Sequence, residues 1–342
     1  MSLNLDRNKR VAVWLTAIAS FSLTTVNAAH GEDLVQVTEP ATYLDAYNFK
    51  PCVPNAQTKI GLALGGGGAR GAAHVGVLQV LEREGIKIDY VCGTSVGAIV
   101  GGLWAAGCHL NDLQCDAEKG SFMRKYMNMS LPTRLALEPL TLSPRLLGAK
   151  PYDGLYSGKT FRHYLQESLP EKHPQIQDMK KPFAAIAFNL LDGKTYMIRG
   201  GDLDFAMQAS SAVPSLRKPV PFAGKLFVDG GVDCNLPVKQ CREMGADFVI
   251  AVNVDQPFKE QEEVHFRKLG SVTDRLINWD LWDLDKPQEQ VADFIIHPDT
   301  TGISVITTSP KAAKKAYEAG VKAADDAVPD LRKLLQVEHK SD

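Results

Sequence analysis

The chain has 342 residues, of which 44% are hydrophobic and 23% are charged, and this is the composition of an ordinary globular protein. Its length suits one large α/β domain or two small ones. The formal net charge is −2 and no basic run is clustered in the sequence. Because a nucleic-acid-binding protein needs a concentrated basic face, we expect no nucleic-acid partner.

The first 28 residues have the three parts of a secretory signal peptide. Three bases precede an apolar stretch at 11–23, and small residues then offer a cleavage site before Ala29. The apolar stretch is shorter than the roughly 20 residues that a membrane-spanning helix needs. We therefore expect an exported protein, periplasmic or secreted, from which residues 1–28 are removed. An uncleaved N-terminal anchor is the alternative.

Six cysteines are spread along the chain, and their spacing does not form a zinc-binding pattern. Export permits disulfides, and Cys108 with Cys115, or Cys234 with Cys241, are close enough in sequence to pair. A protein of this size is also stable without disulfides, so buried free thiols are equally compatible with the sequence.

A tether with three prolines is predicted at 29–57, and a single α/β domain is predicted over 58–336. Strands and helices alternate in the first part of this domain, with a strand at Ile60–Leu64, a helix at 69–83, a strand at 88–92 and a helix at 96–106. This alternation indicates a parallel sheet that is covered by helices on both faces.

An insertion at 120–152 interrupts this alternation. Its bases stand among Met, Leu and Pro residues, and Glu138 is its only acid. The sequence is compatible with a segment that lies on an anionic membrane surface, or with a cap that packs over the core. Trp279 and Trp282 are open to the same two interpretations, as interfacial anchors or as packed side chains, and the acids around them oppose anionic lipid.

The second half of the domain returns to strands and helices. A hairpin is predicted around Asp192 and Gly193. The predicted elements are strands at 183–190 and 195–198, a helix at 203–212, strands at 226–228, Phe248–Val252 and Phe294–Ile296, and a helix at 309–336. We therefore expect a three-layer α/β/α fold with a mostly parallel central sheet and a site at the carboxyl ends of its strands.

Two motifs occupy turns between a predicted strand and a predicted helix. The first reads GGGGARG at 65–71; glycines let backbone amides converge on one point, where the helix dipole also favours an anion. The second is the G-x-S-x-G sequence at 93–97, whose strand–turn–helix setting is that of a nucleophile elbow with Ser95 exposed at its tip. On its own, the second motif also fits a turn with an N-capping serine.

A third motif, Asp229 followed by two glycines, ends a short predicted strand. A serine hydroxyl needs a base within hydrogen-bonding reach, and a carboxylate serves if burial raises its proton affinity. Considered alone, the motif is more typical of a plain tight turn.

In combination and in this order, the three motifs resemble the patatin-like phospholipases, in the bacterial branch that is similar to neuropathy target esterase. The resemblance covers about residues 59–252, with a looser similarity over 294–326. It implies a lipid acyl hydrolase of phospholipase A or lysophospholipase type, with a lipid ester substrate, peripheral membrane contact and no cofactor or metal. The oligomeric state stays open.

The resemblance also implies the roles of individual residues. Ser95 is expected to be the nucleophile and Asp229 its base, with no catalytic histidine. The backbone amides of Gly66, Gly67 and Gly68 are expected to form the oxyanion hole. Arg70 matches a basic position of the family's loop and is expected to order the loop or to contact a lipid phosphate.

One local difference from the family's pattern concerns the substrate mouth. After Pro214, where the family has an apolar or aromatic stretch, this chain has Arg217 and Lys218. The difference bears on substrate preference rather than on the chemistry.

Three other interpretations are compatible with parts of the sequence. Residues 66–71 also fit the dinucleotide-binding pattern G-x-G-x-x-G, with Asp89 as the ribose ligand, although such a site needs neither the fourth adjacent glycine nor Arg70. Triphosphate binding is not indicated, because no Gly-Lys-Ser/Thr follows the glycines. His297 follows Asp229 in the order of a Ser-Asp-His triad, whereas His74 suits a packing or loop-ordering role. The third interpretation is a non-catalytic binding protein that retains the fold; such a relative has usually lost Ser95 or Asp229, and both are present here.

Overall fold

The computed structural model describes residues 52–129, 152–267 and 270–335, together with Val37–Thr38 and Thr133. The predicted signal peptide, most of the tether and most of the insertion at 120–152 lie outside the described residues. Within those that are described, no helix combines the length and the apolar character that crossing a membrane requires.

Strands and helices are numbered here in chain order. The strands are β1 (Val37–Thr38), β2 (Ile60–Leu64), β3 (Tyr90–Thr94), β4 (Phe183–Asn189), β5 (Lys194–Ile198), β6 (Val220–Phe222), β7 (Lys225–Asp229), β8 (Phe248–Val252) and β9 (Phe294–Ile296). The helices are α1 (Ala72–Arg83), α2 (Val96–Ala105), α3 (Leu110–Glu118), α4 (Ser121–Tyr126), α5 (Lys159–Ser168), α6 (Leu203–Ser210), α7 (Val238–Glu243), α8 (Ser271–Glu289) and α9 (Pro310–Leu335).

All these strands belong to one sheet with a parallel centre. The five strands in the order β4-β3-β2-β8-β9 are parallel to their neighbours, and β5 and β1 extend the sheet antiparallel beyond β4. The hairpin of β6 and β7 is also antiparallel and pairs with β4. The prediction of a mostly parallel sheet is confirmed.

The register on β4 brings the ends of two strands together. β3 runs parallel to β4 and ends where Thr94 pairs with Ile186. β7 runs antiparallel to β4 and ends where Asp229 pairs with Ala187, the next residue. Because β3 and β7 approach from opposite directions, the residue that follows β3 meets the last residue of β7.

Helices cover the sheet on both faces, because successive strand residues point to opposite sides. Leu62 and Leu64 of β2 enter a large core that includes residues of α1, α2 and α9. Ala63, between them, enters a smaller core on the other face with side chains of α7, including Val238 and Cys241. This is the predicted three-layer arrangement.

Several predicted boundaries differ from the structure by one to three residues, and two of these lie next to the elements that lead into the site. The strand predicted at 88–92 spans Tyr90–Thr94, and just before it the Asp89 carboxylate accepts a hydrogen bond from the backbone amide of Ile60 at 3.0 Å. The helix predicted at 69–83 begins with the 3₁₀ turn Gly68–Gly71, in which the Arg70 amide donates to the Gly67 carbonyl at 3.1 Å.

Candidate active site

Ser95 lies in the sharp turn between β3 and α2, with a left-handed backbone conformation (φ 53°, ψ −121°) that is unusual for a residue with a side chain. The turn requires glycine on both sides. A Cβ on Gly93 would lie 2.5 Å from the backbone nitrogen of Ala98, and one on Gly97 would lie 2.2 Å from the carbonyl oxygen of Leu64. The G-x-S-x-G motif thus forms the predicted elbow, and its backbone strain lies at the serine.

The end-to-end meeting of β3 and β7 joins the serine to an aspartate. The Ser95 hydroxyl donates a hydrogen bond of 2.6 Å from Oγ to Oδ2 of Asp229. The other carboxylate oxygen accepts the backbone amide of Gly231 at 2.8 Å. The carboxylate is therefore oriented by the chain that follows it, and it faces the serine directly.

Burial controls the charge of this carboxylate. Asp229 is 5% exposed, and desolvation raises its pKa to about 6, although the hydrogen bonds from Ser95 and Gly231 act in the opposite direction. A carboxylate with such a raised pKa is a stronger base than an ordinary aspartate and is still ionised at neutral pH. The site therefore contains a hydroxyl paired with a base of suitable proton affinity.

The glycine-rich loop lies beside Ser95, but its three predicted donors are not equivalent. The Gly66 amide donates to the carbonyl oxygen of Asn235 at 3.1 Å, so it is not free to bind an oxyanion. The amides of Gly67 and Gly68 have no acceptor among the described residues, and both glycines line the cavity that contains Ser95. The loop thus offers two free amides, where the sequence predicted three.

The predicted phosphate contact of Arg70 does not agree with its position. Its side chain is 1% exposed, so the guanidinium does not reach a surface where a lipid phosphate would lie. It donates instead to the Ile303 carbonyl at 2.8 Å, to Asp255 at 3.1 Å and to Asn278 at 2.8 Å. These bonds join the loop to three later parts of the chain, as expected of a residue that orders the loop.

His74 also contacts the loop from within the core. Its Nε2 donates to the carbonyl oxygen of Gly65 at 2.8 Å, and full burial lowers its pKa to about 4. The imidazole is therefore neutral and supports the start of the loop, in the packing role predicted for it.

A cavity of about 150 Å³ opens onto Ser95 and Asp229. Its walls are apolar, and among the residues that the structure describes Asp229 is the only acidic or basic side chain that lines it. The walls come from α2, α4, α5, α8 and two loops, and include Ile99, Phe122, Met123, Phe161, Val213, Leu216, Ile277, Leu281, Val305 and Ile306. Such a cavity suits an acyl chain with its ester carbonyl at Ser95.

The basic residues after Pro214 do not line this cavity. Arg217 is buried and its guanidinium lies 4.0 Å from the ring centroid of Tyr126 and 4.8 Å from that of Phe161. It also donates to the Tyr126 carbonyl. Since both aromatic rings line the cavity, Arg217 supports the cavity wall from behind instead of adding charge to the mouth.

The two rival sites are separated from the serine. His297 is exposed and does not line the cavity, whereas Ser95 donates directly to Asp229. Asp89 precedes β3, at the amino end of the sheet, and forms ion pairs with Lys59 and Lys87. The glycine loop is at the carboxyl end, so Asp89 is not placed to bind a ribose next to it.

A group of possible metal ligands and the cysteines lie outside the site. The ligand atoms of His173, Asp202 and Asp204 are within 4.8 Å of one another, but Arg162 donates to Asp204 and provides a resident cation. The six cysteines are all free thiols in the structure, and neither of the two possible disulfide pairings is formed.

Sequence reasoning missed residues that support the site through the backbone. The Ser95 amide donates to Oγ of Ser210 at 3.0 Å. The backbone carbonyl of Asn235 accepts a hydrogen bond from the Gly66 amide. Ser210 ends α6 and Asn235 lies six residues after Asp229, so each lies near a recognised element. Neither residue type has a pattern that separates this role from an ordinary turn or cap.

The comparisons with known proteins agree with these motifs. A family model described as patatin-like phospholipase matches residues 62–242, more than half of the chain. The NTE family protein Rv1063c of Mycobacterium tuberculosis is 32% identical over 201 residues, which are 59% of this chain and 50% of that protein. Patatin-like phospholipase domain-containing protein 6 of Homo sapiens is 30% identical over 246 residues, 71% of this chain and 16% of that protein.

This chain therefore spans half the length of the mycobacterial relative and a much smaller part of the human one. Among solved structures, VipD from Legionella pneumophila aligns with 89% of this chain and 72% of its own, at 17% identity and a TM-score of 0.43.

Proposed function

Because this chain belongs to the patatin-like phospholipase family, we propose that it is a serine acyl hydrolase that cleaves carboxylic ester bonds of lipids. The observation that carries the proposal is the 2.6 Å hydrogen bond from Ser95 to Asp229 at the end of an apolar cavity. A nucleophile, its base and a space for an acyl chain thus occur together.

In the acylation step, Ser95 Oγ attacks the ester carbonyl carbon and its proton passes to Oδ2 of Asp229. The carbonyl oxygen becomes an oxyanion, which the free amides of Gly67 and Gly68 stabilise as hydrogen-bond donors. As the tetrahedral intermediate collapses, the bond to the alcohol breaks, and the alcohol leaves with the proton from Asp229. The acyl group stays on Ser95.

Deacylation repeats these steps with water. Asp229 accepts a proton from the water molecule as its oxygen attacks the acyl carbon, and the same amides receive the second oxyanion. The proton then returns to Ser95 Oγ as the acyl bond breaks, and a free fatty acid leaves. The residues named are sufficient to move every proton in this cycle.

We extend the proposal to phospholipase A or lysophospholipase activity. The apolar walls favour the acyl chain. Within the described part of the chain, no second charged side chain lines the cavity, which favours a head group that stays outside. Residues 1–28 have the features of a signal peptide, so we propose that the protein acts after export, in the periplasm or outside the cell.

Peripheral contact with a lipid surface is part of this proposal. The inner face of α8 lines the cavity through Ile277 and Leu281, while its outer face presents Val272, Leu276 and Trp279 at helical spacing. These three are 55%, 45% and 37% exposed. Trp282 instead stacks on Phe258 at 5.4 Å, so only one of the two predicted tryptophan anchors is available.

The test compares the full chain with Ser95→Ala and Asp229→Asn on a soluble short-chain ester and on phospholipid vesicles. We expect fatty-acid release by the wild type on both substrates. Removing the nucleophile is expected to lower kcat by on the order of 10⁴-fold or more, and removing the base by about 10⁴-fold.

Ser168→Ala is a matched control, because Ser168 caps the end of α5 through a bond to the Tyr164 carbonyl and is not in the cavity. It is expected to keep wild-type activity. A Ser95→Ala variant as active as the wild type would disprove the proposed nucleophile, and activity on the soluble ester alone would remove the phospholipase assignment.

A further inference from the structure

Behind the glycine loop lies a buried polar group that the proposed reaction does not use. It consists of Arg70, Asn235, Asp255 and Asp285, all of which are buried. The Asn235 side chain donates from Nδ2 to Asp255 at 2.8 Å and to Asp285 at 3.0 Å. Asp255 also accepts a hydrogen bond of 3.1 Å from the guanidinium of Arg70. We refer to these four residues as the buried acid cluster.

Asn235 connects this cluster to the glycine loop. Its backbone carbonyl accepts the amide of Gly66, immediately before the two free amides. A Cβ on Gly66 would lie 2.2 Å from the Asn235 side-chain oxygen, so the loop backbone packs directly against the asparagine side chain. Any shift of Asn235 therefore moves the loop beside Ser95.

Helix α8 connects to the cluster from the other side. Asn278 accepts a hydrogen bond from Arg70 at 2.8 Å, and Asp285, two turns later, accepts one from Asn235. Leu281 lies between them on the same face and lines the cavity. One face of α8 thus contacts the oxyanion loop, through Arg70 and through Asn235, and the acyl cavity.

The charges of the cluster balance only if it holds one proton. Arg70 contributes one positive charge, whereas two ionised aspartates would contribute two negative charges in a buried space. Asp255 is the partner of Arg70. Burial and the neighbouring Asp255 raise the pKa of Asp285 well above its ordinary value, with Glu289 acting in the same direction. Of the two acids, Asp285 is therefore the one that more readily takes up the proton.

We propose that Asn235 and Asp285 are positioning residues that hold the amides of Gly67 and Gly68 in place for the oxyanion, with Asp285 acting from α8 as a neutral hydrogen-bonding group. This inference rests on the proposed function for its catalytic consequence. Its structural part, that Asp285 holds the glycine loop, is independent of any activity.

The test uses the full chain with Asp285→Ala and Asp285→Asn. An asparagine keeps a neutral group with an oxygen acceptor for Asn235, as a neutral aspartic acid does. Alanine leaves one of the two Nδ2–H donors of Asn235 without its acceptor in a buried position, while the other still binds Asp255. On the soluble ester, we expect Asp285→Asn to stay within about twofold of the wild type and Asp285→Ala to lose about 10-fold in kcat with little change in KM.

A second measurement does not require activity. Hydrogen exchange of the backbone amides at 65–71 is expected to accelerate by about 10-fold in Asp285→Ala and to stay at the wild-type rate in Asp285→Asn. Thr273→Ala, an exposed change on the same helix, is the control and is expected to alter neither measurement. Should Asp285→Ala fold poorly, Asn278→Ala removes the half-buried acceptor of Arg70 and is expected to act in the same direction.

The outcomes separate the two claims. Wild-type exchange at 65–71 in Asp285→Ala would overturn the positioning role, and equal damage from alanine and asparagine would overturn the neutral state of Asp285. If the wild type hydrolyses no ester while the exchange at 65–71 still accelerates in Asp285→Ala, the proposed function fails and the positioning role stands.

Discussion

Asp229 has opposing effects on stability and on the proposed chemistry. Its pKa is raised to about 6 in the folded chain, against 3.8 for an ordinary aspartate, and burial is the largest cause. Below pH 3.8 the group is neutral in both folded and unfolded chains. Above pH 6 it is charged in both, and the folded chain bears the cost of a buried charge. The contribution of Asp229 to stability therefore decreases as the pH rises from about 4 to 6.

Asp229→Asn is expected to stabilise the protein while it abolishes activity. The raised pKa of Asp229 corresponds to a destabilisation of the folded wild type by at most about 3 kcal/mol at pH 8, which the variant does not have. At pH 5 this destabilisation is smaller by about 1–1.5 kcal/mol. Urea unfolding of both proteins at the two pH values measures this difference. Asp153→Asn, at an exposed position, is the control and is expected to show no such pH dependence. A variant that is less stable than the wild type at pH 8 would contradict the argument.

At the scale of the single element, α8 has two apolar surfaces with different roles. Leu281 faces the cavity, whereas Val272, Leu276 and Trp279 are exposed to solvent on the same helix. Exposed apolar side chains next to a substrate entrance are typical of proteins that contact a membrane or another apolar surface. The orientation of this helix is therefore relevant to vesicle substrates and not to soluble ones.

Leu276→Glu is expected to reduce fatty-acid release from phosphatidylcholine vesicles by about 10-fold, because an apolar contact worth about 1–2 kcal/mol is replaced by a charge. Hydrolysis of a soluble ester is expected to stay within twofold of the wild type. Leu334→Glu is a matched control, since Leu334 on α9 is 44% exposed and Leu276 is 45% exposed. Equal loss in both variants would assign the effect to net charge instead of to the α8 surface.

The same helix illustrates what the sequence could not predict. The strands Ile60–Leu64, Phe248–Val252 and Phe294–Ile296 were predicted with the bounds that the structure has, because buried parallel strands are short apolar runs bounded by turns. Helix α8 mixes acids, tryptophans and a proline at 287, so its pattern reads as irregular. Its buried Asp285 is compensated by residues distant in sequence, which periodicity does not show.

The candidate site also contains one part that the sequence could predict and one part that it could not. The elbow and the Asp229 turn were found from local motifs, since a strained turn needs glycine at fixed positions. The hydrogen bond from Gly66 to Asn235 and the burial of Arg70 depend on long-range contacts. These contacts occupy one of the three expected amides and leave Arg70 with the loop-ordering role alone. The catalytic roles themselves stay predictions until the variants are measured.

Over the whole molecule, α9 closes one side of the sheet by packing on α1 at backbone distance. A Cβ on Gly320 would lie 2.0 Å from the carbonyl oxygen of Ala73, and one on Gly76 would lie 2.4 Å from that of Tyr317. The helices touch through paired glycines on facing sides. The chain beyond residue 242, where the family match ends, is thus part of the same core.

Gly320→Ala is expected to destabilise the protein by about 1–3 kcal/mol, because the added methyl group has no space. In an unconstrained helix the same change stabilises by about 0.5–1 kcal/mol, so the sign of the change is diagnostic. Urea unfolding measures it, with Glu318→Ala on the exposed face of α9 as the control. A more stable Gly320→Ala variant would show that the two helices are not in backbone contact.

The meeting of β3 and β7 on adjacent residues of β4 has a consequence for how such a protein can diverge. The spacing between hydroxyl and carboxylate is set by one peptide step on a central strand, whereas the cavity walls come from helices and loops that the sheet does not constrain. Substitutions can therefore reshape the cavity while the hydrogen-bonded pair of Ser95 and Asp229, the proposed reacting groups, is inherited unchanged. In this architecture, selection for a new substrate and selection for the reaction act on different parts of the chain.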